Sequence, residues 1–420
     1  MSLQVRFKKD YINYLISVVA PALLSGLSIP VFKHLLGPGG YGNFSLWFNA
    51  ILIINAVSSG WIAQSILRLS AGASNKKIFG KYALRMASIT LAILFVPAFT
   101  GIYYFSGDFL LAFLCVACLW AILLQFIVLS ISQSYFLSSK VIVSELLRTG
   151  IYLSAAVCLL SFTSIHYLYC LLFAVFISYA VSLAYLYFHI KRVPAEVSHQ
   201  QEEQLSFRQQ ASVFFKYGAP LSVWFIFAYL LTYIDKLSVH QYLSAEAQGN
   251  YQAVFDMLAK TITLLASPVI MSAYPLFSKF YDEGNRNLVK ELLLKILKIE
   301  FVLMLLCNLL YWFIGAPLIS LVLKVPDSDE YRFLGIIIIS ATFFMQMGSL
   351  IQKKYELKMQ SVKLARIIFA AFLAQVIFYW IFHKSTQLLI YPMGYLLATV
   401  VYLVLLLKEE IFGYISAVKK

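Results

Sequence analysis

The chain has 420 residues, 61% of them hydrophobic and 12% charged, with a formal net charge of +14 and a mean hydropathy of +0.81. A water-soluble domain has no interior large enough for so much apolar surface, and several apolar runs reach the roughly 20 residues that cross a bilayer as a helix. The basic excess sits in short clusters between those runs, which fits positive-inside asymmetry and excludes a nucleic-acid-binding surface.

Apolar runs between polar breaks predict twelve helices, at 11–36, 43–70, 79–105, 108–136, 141–162 and 165–190, then 208–240, 249–276, 287–322, 330–355, 361–383 and 386–412. The first is too long and interrupted for a cleaved leader, and no small-x-small pattern follows it, so it is expected to remain as a span. Lys191 to Arg208 is the only long polar connection, so 191–207 reads as a linker between an N-terminal six-helix bundle (1–190) and a C-terminal one (208–420). Alternate loops carry about twenty-one Lys and Arg, against four on the other side (Lys33, Lys324, Arg332 and Lys384). This bias puts both termini and the linker in the cytoplasm.

Prolines interrupt several spans, among them Pro21, Pro97, Pro220, Pro268 and Pro317. Each removes a helix hydrogen bond, and most read as bends repaired by neighbouring helices. The five cysteines lie in apolar stretches without histidines at ligand spacing, so Cys115 and Cys118 read as small packing residues and no metal is expected. No Walker loop, nucleophile elbow, His-Glu-x2-His or glycine fingerprint occurs. The expectation is a protein without enzymatic activity or cofactor, driven by an ion gradient, the membrane potential or a downstream reaction.

One turn is written twice. Leu35 to Phe44, with Gly37, Gly42 and Asn43, lines up with Tyr242 to Tyr251, with Gly249 and Asn250, at an offset of 207 residues, close to half the chain. Repetition at half-length suggests two equivalent bundles with a site between them, the plan of a transporter.

Ionisable residues inside spans mark functional sites by default. The second turn leads into the densest group: Asp235 and Lys236 before it, Asp256 and Lys260 after it. Lys260 lies roughly 16 Å beyond Gly249 along a helix, near the centre of a layer about 30 Å thick. Its four-residue spacing from Asp256 allows partial neutralisation on one face. The pair reads either as a structural lock or as a cationic point in a translocation path. Asp235 and Lys236 point about 100° apart and are expected to find partners on other helices. Arg85, Glu145 and Arg148 lie nearer the cytoplasmic ends, where snorkelling and cavity lining both remain open.

These features resemble the polysaccharide-biosynthesis flippases of the O-antigen (Wzx) type, in the multidrug/oligosaccharidyl-lipid/polysaccharide superfamily. The resemblance rests on the twelve helices, the Leu36-Gly37-Pro38-Gly39-Gly40-Tyr41-Gly42 turn, and Asp235-Lys236 followed by Gly249-Asn250-Tyr251. Lys at 236, where Arg is as common, and the missing proline in the second turn are departures from the pattern.

The resemblance implies an all-α integral membrane protein of the MATE-like fold, with two pseudo-symmetric six-helix bundles. It implies a flippase of the bacterial inner membrane that moves undecaprenyl-diphosphate-linked oligosaccharide, an O-antigen or other surface-polysaccharide unit, to the periplasmic leaflet by alternating access. Lys260, Lys236, Arg148 and Arg85 are the candidates for meeting the diphosphate. Asp256, Asp235 and Glu145 are the candidates for ion coupling. Partners implied are the lipid-linked substrate, membrane lipid, and a polymerase and chain-length regulator.

The alternatives carry their own signatures. A cation-coupled drug antiporter of this fold calls for an acid-rich cavity, whereas the charges in these spans lean basic. A peptidoglycan-precursor flippase calls for further helices. A membrane glycosyltransferase or polymerase calls for a large outer loop, and the widest here, near Asp327, Asp329 and Glu330, is small.

Overall fold

The computed structural model describes residues 3–70, 76–135, 137–193, 206–358, 360–382, 385 and 387–418. Most of the expected 191–207 linker therefore lies outside the described residues.

All regular structure among the described residues is helical: α1 (Leu3–Leu69), α2 (Lys76–Ser106), α3 (Phe109–Ser134), α4 (Ser138–Phe162), α5 (Tyr167–Lys191), α6 (Phe207–Tyr242), α7 (Ala245–Asp282), α8 (Arg286–Leu310), α9 (Ala316–Leu323), α10 (Asp329–Leu357), α11 (Ser361–Ile381) and α12 (Ile390–Val418). A π turn, Tyr311–Gly315, joins α8 to α9 so that Arg286–Leu323 forms one apolar stretch. Eleven stretches among the described residues are long and apolar enough to cross a membrane. The protein is multi-pass.

Local chemistry sets several boundaries. Asp108 caps α3 by accepting from the Leu111 amide at 3.0 Å, and Asn285 caps α8 by accepting from Leu288 at 3.3 Å. Asp329 and Glu330 place negative charge at the N-terminus of α10. The 67 residues of α1 contain one non-helical residue, Gly37, at φ 70° and ψ 169°. Only glycine adopts that conformation without strain, and Gly37 supplies the expected break between the first two predicted helices.

Packing divides the chain into two compact units, 1–28 with 47–226, and 29–46 with 227–420. The division departs from a simple cut at the linker. The first turn, 29–46, packs with the second half of the sequence, and 208–226 packs with the first.

The first unit is built around α3, whose buried face includes Ala112, Cys115, Cys118, Leu119 and Leu123. Small side chains allow close helix approach, and the Cys118 thiol donates to the Leu172 carbonyl of α5 at 3.0 Å. Ile62, Ile66, Ala83, Ala87, Ile127 and Phe214 join α1, α2, α3 and α6 into one core.

The second unit is built around α10, with Ile338, Phe343, Leu350 and Ile351 fully buried. Tyr355 on α10 donates to the Leu406 carbonyl of α12 at 3.2 Å, and Tyr402 on α12 donates to Gln352 at 3.1 Å. On α8, Phe301, Val302, Leu305, Leu306, Leu309 and Leu310 are exposed. Such a run of outward apolar side chains suits lipid rather than water.

A candidate ion cluster and a buried carboxyl

The two repeated turns meet face to face within the second unit. A Cβ added to Gly249 would stand 1.8 Å from the Pro38 carbonyl oxygen, and one added to Gly42 would stand 2.8 Å from the Gln248 side chain. Gly249 is thus required by a backbone-to-backbone approach that no other residue permits. Asn250 is buried just beyond it, and Asn43 is half-buried.

That approach assembles a polar cluster around Asp256. Lys236 Nζ on α6 donates to Asp256 Oδ1 on α7 at 2.7 Å. Tyr41 Oη donates to Oδ2 at 2.9 Å, Ser45 Oγ at 3.3 Å and Gln252 Nε2 at 3.2 Å. The Lys236 side chain is 4% exposed and its ammonium lies 5.0 Å from the centre of the Phe255 ring. Asp256 therefore has one cation and three neutral donors in contact, a set that satisfies an ionised carboxylate.

Lys260, exposed one turn further along α7, acts on Asp256 electrostatically, and Lys236 makes an ion pair with it from the neighbouring helix. Spacing within one helix points from Asp256 to Lys260, and Lys236 reaches the same carboxylate from another helix, a contact that no local spacing signals.

Asp235 takes a different environment. It is fully buried, its Oδ2 accepts from the Tyr251 hydroxyl of α7, and its Oδ1 lies 2.6 Å from the Tyr379 hydroxyl of α11. Tyr379 is held in turn by Gln375 Nε2 at 3.2 Å, and the same amide donates to the Leu231 carbonyl at 2.8 Å. As expected from their 100° separation, Asp235 and Lys236 take different partners, Tyr251 with Tyr379 and Asp256 respectively.

In the first unit Glu145 and Arg148 pair with each other. Arg148 Nη2 donates to Glu145 Oε2 at 2.7 Å and Nε donates to the same oxygen at 3.1 Å, while Gln125 Nε2 of α3 donates to Oε1 at 2.9 Å. The Arg148 guanidinium also lies 5.0 Å from the Tyr179 ring centre. Arg85 is exposed and stacks 4.5 Å over Phe207, apart from that network.

Three features escaped the sequence reading. Tyr41, part of the first turn's motif, and Ser45 just after it were not expected as partners of Asp256. Lys33, seen as the end of a span, donates to the Leu323 carbonyl at 2.5 Å, beside His34 at 2.9 Å from the Val322 carbonyl, so both meet the C-terminus of α9. Glu300 lies on the buried face of α8 with Ile296 and Met304, and neither of its carboxyl oxygens has a partner among the described residues. Its four-residue spacing from those apolar neighbours was the available signal.

The sequence profile of the family described as "Polysaccharide biosynthesis protein" matches residues 7–281, which include both turns and the Asp256 cluster. The chain belongs to the polysaccharide biosynthesis protein family. Members of the MATE group share its fold. A mutant of the Vibrio cholerae MATE transporter VcmN matches with a TM-score of 0.72 at 12% identity, over 98% of this chain and 97% of that one. A MATE in complex with MaL6 matches at 0.66 and 15% identity, with 98% and 97% covered. The outward-facing conformation of a multidrug resistance MATE family transporter of the MOP superfamily matches at 0.65 and 17%, with the same coverage. No curated protein matches the chain.

Proposed function

We propose that this family member is a flippase, carrying an undecaprenyl-diphosphate-linked oligosaccharide from the cytoplasmic to the periplasmic leaflet of a bacterial inner membrane by alternating access. The observation that carries the reading is the Lys236–Asp256 cluster inside a span of a polysaccharide-biosynthesis protein. A diphosphate headgroup needs cations away from water, and a lysine held by a carboxylate is a cation that an anionic ligand can recruit by exchange. Lys260 adds a second ammonium beside it, and Arg148 and Arg85 are the corresponding cations of the first half.

Among the coupling candidates, Asp256 and Glu145 are each bound to a cation, whereas Asp235 is surrounded by hydroxyls. Asp235 is therefore the carboxyl we assign to ion coupling. Counting the segments on either side of Gly37 as separate spans gives twelve. We assign six spans to each half, 1–190 and 208–420, with the 29–46 turn exchanged into the second unit and 208–226 into the first, and place 191–207 and both termini in the cytoplasm. The protein does no covalent chemistry and needs no cofactor; it hands its substrate to a polymerase and a chain-length regulator.

The MATE likeness also supports a cation-coupled drug antiporter. A cationic drug needs a free carboxylate, and two of the three coupling candidates are already neutralised by Lys or Arg. The deciding experiment is deletion and complementation, scoring surface polysaccharide and the leaflet position of the lipid-linked unit. Complete units stranded on the cytoplasmic face and rescued by the wild-type chain support flipping. Units that reach the periplasm unpolymerised, or unchanged glycan with altered drug sensitivity, refute it.

A further inference from the structure

Asp235 stands where four helices meet, and a count of hydrogens there gives a definite answer. Its neighbours among the described residues are Lys236 on α6, Tyr251 on α7, Tyr379 on α11, and Tyr391 with Tyr395 on α12. The only cation in this group, Lys236, is 2.7 Å from Asp256 instead.

The Tyr379 hydroxyl lies 2.6 Å from Asp235 Oδ1 and also 2.6 Å from the Tyr391 carbonyl oxygen. A phenol has one hydrogen, and a carbonyl has none to give. If Tyr379 donates to Asp235, two oxygen acceptors face each other at 2.6 Å with nothing between them. If it donates to Tyr391, the short approach of Oδ1 requires a hydrogen on the carboxyl. We infer that Asp235 is a proton-binding site, occupied in this conformation: its hydroxyl donates to Tyr379, and Tyr379 donates to the Tyr391 carbonyl.

The neutral acid also completes the remaining bonds. Tyr379 oxygen accepts from Asp235 and from Gln375 Nε2, and gives its own hydrogen to Tyr391, which uses every site on that oxygen. Tyr251 donates to the other carboxyl oxygen. A carboxylate buried here, with the neighbouring cation Lys236 committed to Asp256, is costly, and a protonated one is not.

Losing the proton has a mechanical consequence. The carboxylate draws the Tyr379 hydrogen to itself, and the bond from α11 to the first turn of α12 is released. Proton occupancy at Asp235 thereby sets whether α11 and α12 are tied at that end, with the proton passing to water and no other bond changed. This inference rests on the assignment of Asp235 to coupling, and adds the ligand and the element that responds to it.

The test uses the purified full chain in lipid nanodiscs without substrate, so it stands apart from the flippase reading. Infrared spectra are recorded in a Glu300→Gln background, which removes the other fully buried carboxyl among the described residues. A protonated-carboxyl band is expected at neutral pH, lost in Asp235→Asn and kept in Asp256→Asn. Tyr379→Phe keeps the band and moves it to higher frequency, because the acid hydrogen has lost its acceptor. Tyr379→Phe retains the shape of the site and decides the matter if Asp235→Asn does not fold. Absence of the band in the Glu300→Gln protein, its survival in Asp235→Asn, or its indifference to Tyr379→Phe overturns the inference. If the band behaves as expected while export by the same Glu300→Gln protein ignores a pH gradient, the proton site stands and its role in coupling falls.

Discussion

Lys236→Met removes the buried cation from Asp256 and leaves a carboxylate with three neutral donors and the exposed Lys260 one turn away. At the observed 2.7 Å, with an effective dielectric constant of about 20, two unit charges attract by about 6 kcal/mol. Desolvation offsets much of that in the intact pair, but a single substitution exposes the uncompensated half, at a cost of about 3–5 kcal/mol. Asp256→Asn strands Lys236 with only the Phe255 ring and neutral acceptors, and costs a similar amount. The double variant Lys236→Met/Asp256→Asn has no buried charge left and is expected to recover to within about 1 kcal/mol of wild type. Unfolding in detergent, followed by near-ultraviolet circular dichroism, measures the cycle, and complementation of surface polysaccharide is scored on the same variants. If Lys236 only locks α6 to α7, the double variant restores both stability and export. If it also meets the diphosphate, stability returns and export does not. Single variants that unfold within about 1 kcal/mol of wild type refute the energetic reasoning, and an exporting double variant refutes a substrate role for Lys236.

The turn glycines give a graded series. Gly249→Ala drives a methyl into the Pro38 backbone and is expected to be the most damaging, above the roughly 1–3 kcal/mol of ordinary overpacking; Gly42→Ala meets the flexible end of Gln248 and costs less. Gly37→Ala has open space around it and pays only backbone strain, about 1–3 kcal/mol. Melting temperatures in the reverse order would show that the turns do not pack as described. Glu300→Met replaces a carboxyl without a partner among the described residues by an apolar side chain of similar length, and is expected to raise the melting temperature; a marked drop would expose a partner for Glu300. At the α2–α3 connection, the Tyr169 hydroxyl, then the Leu111 amide, hold the Asp108 carboxyl below its ordinary range. Its contribution is present above the usual carboxylate pKa and is lost as pH falls through the depressed value. Asp108→Asn should flatten that acid-side loss in a melting-temperature profile, and an unchanged profile would remove Asp108 as its source.

Helix positions were legible because hydrophobic length is a direct physical requirement of the bilayer. The same rule explains its one ambiguity: α1 runs from Leu3 to Leu69 with a single non-helical residue, so the boundary between two predicted spans depends on Gly37 alone. Asp235, Lys236, Asp256, Glu145 and Arg148 were legible because charges inside apolar runs stand out. Their partners were less so. Glu145 and Arg148 pair with each other three residues apart, and Lys236 reaches Asp256 from the next helix, where spacing within α7 pointed only to Lys260. Tyr41 and Tyr379 reach their carboxylates across 215 and 144 residues of sequence, and no local pattern carries that information.

The internal repeat links these observations. Gly42 and Gly249 are equivalent positions in the two copies, and each turn packs against the other within the second unit. Their equivalence does not extend to charge: the second copy is flanked by Asp235, Lys236 and Asp256, while the first contributes Tyr41 and Ser45 as neutral donors. At the same offset the first copy carries Ser28, Ile29 and Asn49 where the second carries Asp235, Lys236 and Asp256, so only one copy brings these charges to the contact. Tyr41 and Ser45 of the first copy meet that charge as neutral donors to Asp256. The asymmetry thus leaves the Lys236–Asp256 pair with hydroxyl donors from the first copy at the contact of the two turns, and the sequence offset of 207 residues marks where that contact lies.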